Sequence, residues 1–238
     1  MYGSRLLFSE GVVILSSCET EIEAFNFSRM LSHSAEKGWS AGQATSRTLN
    51  GLVENLARHN DFELVANRVG QGEVDTLKPM LKHEAPLNSI SSRFGYGEQP
   101  FHTDGAHHRD VPEIILLWSK EPSPVTTRMW RPRTIPFEET RGIFAVQNGR
   151  EAWLSSAYDH DGGLRFDPGC MSPLDHFARQ LARRLSAPPP GEVTEFRWDR
   201  PNLVLLLRNR MILHGRSRVA VDQSSREIQR VMLMKGER

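Results

Sequence analysis

Short apolar runs and polar breaks alternate along this chain, and their spacing changes near its middle. Gly11-Val-Val-Ile-Leu15 has the length and β-branched content of a strand. Thr20, with Glu23 three residues on, fits a capping box and predicts a helix over about 21–34. Thr48 is placed to cap a second helix over about 49–58. From residue 89 the runs have strand length and are separated by Gly, Pro and polar residues, at 89–94, 113–118, 126–130, 192–198, 203–207 and 229–234. One helix interrupts them. Ser172, Pro173 and Asp175 form its start, and Leu174, Phe177, Leu181 and Leu185 recur at helical spacing. Ala187-Pro-Pro-Pro-Gly191 reads as a rigid connector after that helix. The chain beyond it is too short to build another core, so residues 1–238 are expected to form a single domain. Strands concentrated in the second half, with a few helices, predict an α+β protein with a β-sandwich or barrel core.

Composition narrows the classes. Lys+Arg number 30 against 29 Asp+Glu, a formal net charge of +1 that gives no reason to expect a nucleic-acid partner. Lys and Arg outnumber acids near the C-terminus, which reads as solvated surface plus functional arginines. The longest apolar runs, Ile114 to Trp118 and Leu203 to Leu207, are far short of a membrane span, and the first residues lack a signal-peptide core. Cys18 and Cys170 are distant and form no metal-binding pair, so a reducing, cytoplasmic setting is expected.

His102-Thr-Asp104 puts an imidazole and a carboxylate two residues apart, on one face of a strand. Such a pair can share a metal ion, or merely a hydrogen bond. His214 follows an apolar strand and precedes a Gly turn, which makes it the best third ligand. Two His and one carboxylate form the facial triad of non-haem Fe(II) oxygenases, with three positions left open. Arg226 and Arg230 lie 12 and 16 residues after His214 and share a strand face with Ile228. Two inward guanidiniums are costly unless anions meet them, and a dicarboxylate is such an anion; on an edge strand both would simply be solvated.

His102-x-Asp104, His214-Gly-Arg216 and Arg226-x-x-x-Arg230, in this order, resemble the Fe(II)/2-oxoglutarate-dependent oxygenases of the taurine dioxygenase and clavaminate synthase-like superfamily. Gly11 to Leu15 is similar to that group's early strand. Leu164-Arg-Phe-Asp-Pro-Gly-Cys-Met171 is similar to a segment of its clavaminate synthase-like branch, and Leu203 to Arg216 to the strand–turn–strand that delivers the distal His. The resemblance implies a double-stranded β-helix (jelly-roll, cupin-like) core flanked by helices. It implies Fe(II) on His102, Asp104 and His214, with 2-oxoglutarate and O2 as co-substrates. Arg226 would hold the distal carboxylate of 2-oxoglutarate with a hydroxyl from Thr127, or from Thr126 in the alternative register. Arg230 would sit nearer the substrate or assist the co-substrate, and the two arginine roles can be exchanged. Asn209 would support the distal-His turn, and Arg165 would add positive charge near the co-substrate. The chain departs from the pattern at Pro124-Val125, where relatives carry two glycines, and at Pro201-Asn202 and Arg208-Asn209 before the distal His.

The implied reaction couples oxidative decarboxylation of 2-oxoglutarate to hydroxylation of a C–H bond, with desaturation or cyclisation as variants; Asp104 favours hydroxylation over halogenation. Glu98, Gln99 and Arg230 point to a small polar metabolite, such as an amino acid or a derivative. His107 and His108 are expected at the pocket rim and not as ligands. Trp118, Trp130, Trp153 and Trp198 are expected in the core. His33, His59, His83, His160 and His176 are expected at the surface. Two other readings remain: a non-catalytic jelly-roll module that binds a ligand or senses it, and a cupin-like metal-dependent lyase or isomerase. The residues do not indicate an oligomeric state.

Overall fold

The computed structural model describes residues 22–57, 61–67, 70, 72–86 and 89–236. Two sheets and the apolar layer between them organise the centre. The larger sheet runs in the order β1 (Glu23–Ala24), β2 (Trp39–Gln43), β11 (Leu203–Arg208), β5 (Ile114–Ser119), β13 (Ile228–Lys235) and β3 (Phe62–Val65), with β4 (Val74–Leu77) also paired to β13. The smaller runs β10 (Thr194–Trp198), β6 (Ser123–Trp130), β12 (Leu213–Arg216). Every pairing is antiparallel except β1 with β2.

The apolar runs of β5 and β11 are unbroken because both of their faces are covered. Ile115, Leu117, Leu203, Leu205 and Leu207 pack with Met129, Phe196 and Trp198 of the smaller sheet. Ile114, Leu116, Trp118, Val204 and Leu206 face the other way. They pack under Met30 of α1 (Phe27–Lys37), Leu49 of α2 (Ser46–Asn50) and Leu52 and Leu56 of α3 (Leu52–Ala57). Burying each such side chain contributes roughly 1.5–3 kcal/mol, so these two layers supply much of what holds the sheets in place. A third cluster joins β8 (Glu151–Ser156), β7 (Ile143–Asn148) and β9 (Met171–Pro173) to α6 (His176–Ser186), through Phe144, Val146, Ala178, Leu181 and Leu185.

Several local expectations change. Gly11–Leu15, Cys18 and Thr20 lie outside the described residues, as do His59 and Arg58. Residues 23–24 form a short strand, and the first helix starts at Phe27, where the Asn26 side chain accepts from Arg29 N at 3.0 Å. The helix expected over 49–58 is two short helices that meet at Gly51, and the cap is Thr45, whose hydroxyl accepts from Thr48 N at 3.1 Å. Residues 89–94 are a helix, α4 (Ile90–Phe94), because Ser89 caps it by accepting from Ser92 N. In α6 the N-cap is Asp175, and Leu174, before the helix, is exposed. Strands at 39–43, 62–65, 74–77, 143–148, 151–156 and 171–173 have no counterpart in the expected set. Trp118, Trp130 and Trp198 are buried, whereas Trp153 is half-buried with the Arg109 guanidinium over its ring. No described helix is long and apolar enough to cross a membrane.

Candidate metal centre and its cavity

Backbone pairing brings two of the three candidate ligands together, and the extended chain adds the third. His102 and His214 form a reciprocal pair: each donates its backbone N–H to the other's carbonyl at 2.9 Å. That places their rings side by side, with centroids 4.7 Å apart. Extended backbone through 102–104 sends Thr103 the opposite way, where its hydroxyl accepts from Phe166 N at 3.0 Å, and returns Asp104 to the histidine face. Gly105, at φ +69°, then turns the chain sharply, and a Cβ there would meet Pro112 at 2.7 Å. Gly215 lets β12 approach the neighbouring segment, since its Cβ would meet the Gln99 carbonyl oxygen at 2.8 Å.

Ligand atoms of His102, Asp104 and His214 all lie within 4.8 Å of one another, and all three residues are buried. His214 Nε2 stands 3.3 Å from Asp104 Oδ2, and His102 Nε2 stands 3.8 Å from Asp104 Oδ1. Adjacent ligands of an octahedral ion at ~2.1 Å would be about 3 Å apart, so small side-chain rotations close the set. The chemistry of the donors fits a divalent cation. His102 Nδ1 donates to the Pro100 carbonyl at 2.9 Å, which leaves a bare lone pair on Nε2. Asp104 Oδ2 is buried and accepts no hydrogen bond, a cost that a cation would remove.

Electrostatics favour the ligating protonation states. Burial, and then His214, lower the His102 pKa against the opposing pull of Asp104. Burial alone would raise the Asp104 carboxyl, but Arg230 and the two imidazoles hold it well below the usual range. Asn209 holds Asp104 from behind. Its Oδ1 accepts from Asp104 N at 2.9 Å, and its Nδ2 donates to Asp104 O at 2.8 Å and to Pro112 O at 2.9 Å. Because Asn209 sits in the turn between β11 and β12, it ties the Asp104 backbone to the chain that leads to His214.

The triad opens into a cavity of about 1130 Å³. Arg226, just before β13, lines it, and its Nε is buried with no hydrogen-bond partner. Burial, with Arg216 repelling it, pushes the Arg226 pKa down to about 9. The group still carries its charge at neutral pH, in a place where that charge is unfavourable until an anion arrives. Arg216 is itself anchored, donating to Gly95 O at 2.7 Å and Gly97 O at 3.1 Å. Thr127 also faces the cavity. Its hydroxyl accepts from the buried Trp198 Nε1 at 3.0 Å. Thr126 points away, toward Glu195 Oε2 at 3.3 Å.

Other candidates fall elsewhere. Ile228 and Arg230 are both buried on one face of β13, but the Arg230 guanidinium already meets Asp104 Oδ1, and meets Asp75 Oδ2 at 2.6 Å. Its charge is therefore met by carboxylates of the chain itself, while its Nε has no hydrogen-bond partner. Arg165 is not at the co-substrate end either. It donates to the carbonyls of Ala106, His108 and Arg109 and pins the loop after Asp104. Gln99 lines the cavity, whereas Glu98 turns outward to pair with Arg128. His107 and His108 lie on the cavity wall outside the ligand group, with rings 4.4 Å apart. Asp75 and Arg93 line the cavity and carried no signal in the sequence pattern, and Asp167, from the segment Leu164 to Met171, lines it too. A second groove, of about 290 Å³ beside Pro122, Pro124 and Trp198, holds none of the candidate ligands.

No protein-family model matches the chain, and no curated protein matches it. Solved structures do. Asparagine oxygenase is 14% identical with a TM-score of 0.64, over 87% of this chain and 76% of that one. The non-heme iron oxygenase OrfP, in complex with Fe and alpha-ketoglutaric acid, is 17% identical with a TM-score of 0.63, over 88% of this chain and 79% of that one. PvcB from Pseudomonas aeruginosa is 16% identical with a TM-score of 0.62, over 89% and 82%. With so little sequence in common, what the likeness establishes is the architecture: this is an α+β chain with the jelly-roll fold that these oxygenases also have.

Proposed function

We propose that the protein is an Fe(II)- and 2-oxoglutarate-dependent oxygenase acting on a small polar metabolite, an amino acid or a derivative of one. The observation that carries this reading is a pairing within one cavity. Two imidazoles and a carboxylate form an open ligand face, and beside it stands the half-buried Arg226, whose Nε is buried with no hydrogen-bond partner. Similar folds in asparagine oxygenase and in OrfP with alpha-ketoglutaric acid support it. The overall reaction balances as 2-oxoglutarate + O2 + R–H giving succinate + CO2 + R–OH. Iron, when bound, supplies the activation of O2.

The chain's own residues do the rest. His102, Asp104 and His214 would hold the ion and leave it positions for other ligands. Arg226 receives the distal carboxylate of the keto acid, and Thr127 offers it a hydroxyl proton. Trp198 occupies an acceptor lone pair of that hydroxyl and so aims its proton away, into the cavity. Arg230 holds Asp104 through Oδ1 and leaves Oδ2 for the metal. The apolar layer around Leu117 and Ile228 keeps water from that end. The two cysteines are distant in the sequence and form no CxxC pair, and a reducing cytoplasm is the compartment this reading assumes.

The test is anaerobic titration of the Fe(II)-loaded protein with 2-oxoglutarate. A metal-to-ligand charge-transfer band that saturates at one equivalent is expected. Absence of the band, with iron bound, would sink the reading, and turnover without O2 would replace it with a lyase or isomerase.

A further inference from the structure

Arg226 and Arg230 look alike in the sequence, yet among the described residues carboxylates of the chain meet only Arg230 of the two. On adjacent antiparallel strands, Arg230 of β13 and Asp75 of β4 are directly opposite one another. The pair is close, with Arg230 Nη2 to Asp75 Oδ2 at 2.6 Å, while Nη1 of the same guanidinium meets Asp104 Oδ1. Side-chain exposure is 9% for Arg230, 7% for Asp104 and 19% for Asp75, so the most open member of the trio is the acid. All three line the cavity.

From these contacts we infer that Asp75 is a specificity-determining residue: it closes Arg230 to any carboxylate of the prime substrate and selects, on this wall, a neutral or cationic hydrogen-bond donor such as an amide, hydroxyl or ammonium group. This rests on the function proposed above and narrows its substrate. Both terminal nitrogens of Arg230 already donate to carboxylates. An incoming carboxylate would find the guanidinium charge already matched by Asp104 and Asp75, with only Nε–H and one N–H on each terminal nitrogen left over. It would also come up against the Asp75 charge, which like-charge repulsion opposes in a buried setting. Asp104 shares its charge with a bound cation, and Asp75 alone then still matches Arg230 one to one. A donor group meets the opposite situation. A carboxylate is an acceptor with several lone-pair sites, so Asp75 keeps capacity for another hydrogen bond while it holds Arg230.

The experiment uses the full chain loaded with Zn(II) and 2-oxoglutarate, so that the Arg226 end is occupied. Binding of two isosteric probes, propionate and propionamide, is followed by ligand-detected NMR. Wild type should favour propionamide. Asp75→Ala should tighten propionate by about tenfold or more and reverse the order. Asp75→Asn keeps the shape and removes the charge, and it should move in the same direction if the alanine variant does not fold. A purely structural Asp75 would lower thermal stability and leave the propionate-to-propionamide ratio where it was. An unchanged ratio in both folded variants overturns the proposal, whether or not propionate binds. The 2-oxoglutarate titration precedes the probes. Should wild type not bind it, the function reading fails by itself, and the Asp75 comparison is made with metal alone, since the Arg226 end is the same in each protein.

Discussion

Replacing Arg226 should act in opposite directions on the empty and the loaded protein. In the empty protein its guanidinium is mostly buried, its Nε has no partner, and Arg216 repels it. Removing that charge, while the aliphatic stem is kept, relieves an unfavourable burial. Arg226→Met should therefore melt no lower than wild type without ligands, and somewhat higher if the repulsion dominates. With 2-oxoglutarate bound, the same change strands a carboxylate in a low-dielectric site. Losing one partner of a buried ion pair costs roughly 3–5 kcal/mol. In the proposed site Thr127 and the metal would still hold the co-substrate, so the lower part of that range is expected. It corresponds to about two to three orders of magnitude in affinity, at tenfold per 1.4 kcal/mol. Arg226→Lys should recover only part of this, because an ammonium cannot make the forked contact. The assay is calorimetric titration of metal-loaded protein with 2-oxoglutarate, beside thermal melts of the ligand-free protein. A variant that binds 2-oxoglutarate like wild type, or one that is strongly destabilised when empty, would show that the anion site is elsewhere.

Three further outcomes follow from neighbouring contacts. Asn209→Leu removes both hydrogen bonds to the Asp104 backbone; it should destabilise the fold by about 2–4 kcal/mol in denaturant melts and weaken metal binding by roughly 10–100-fold, read as Co(II) absorption. Trp198→Phe keeps the packing and removes the donor to Thr127; loss of one buried hydrogen bond of about 1 kcal/mol should weaken 2-oxoglutarate roughly five- to tenfold, non-additively with Thr127→Val, and full additivity would refute the coupling. Asp104 titrates far below its unfolded value, so its contribution to metal-free stability should be complete above about pH 4 and fall away as pH drops further; Asp104→Asn should flatten that acid limb and abolish metal-induced stabilisation, and an unchanged limb would disprove the shift.

What the sequence shows and what it hides follows from the range of the interactions. His102 and Asp104 could be read because strand period two is local, and β5 and β11 because two-sided burial leaves an unbroken apolar run. Local competition between similar caps was harder. Thr45 and Thr48 are both plausible, and only the backbone shows that Thr45 accepts from Thr48 N. The five residues after Ser89 fit a strand or one helical turn equally, and the Ser89 hydroxyl decides for the helix. Glu98 and Gln99 are neighbours on extended chain, so at most one can face the cavity, and composition does not say which.

The arginines set the limit. A buried guanidinium on an inward strand face tells the reader that an anion must be near, since the charge is too costly otherwise. It does not tell who brings the anion. For Arg230 the protein supplies it through Asp75, a residue 155 positions away that only strand pairing brings opposite. For Arg226 no protein carboxylate arrives among the described residues, and its fold neighbour Arg216 adds repulsion. In the proposed function the same signal thus divides into a support for a metal ligand and a receptor for a small anion. Charge accounting across the folded cavity separates them: an inward cation matched by the chain is structural support, and one left unmatched marks where a small anion binds.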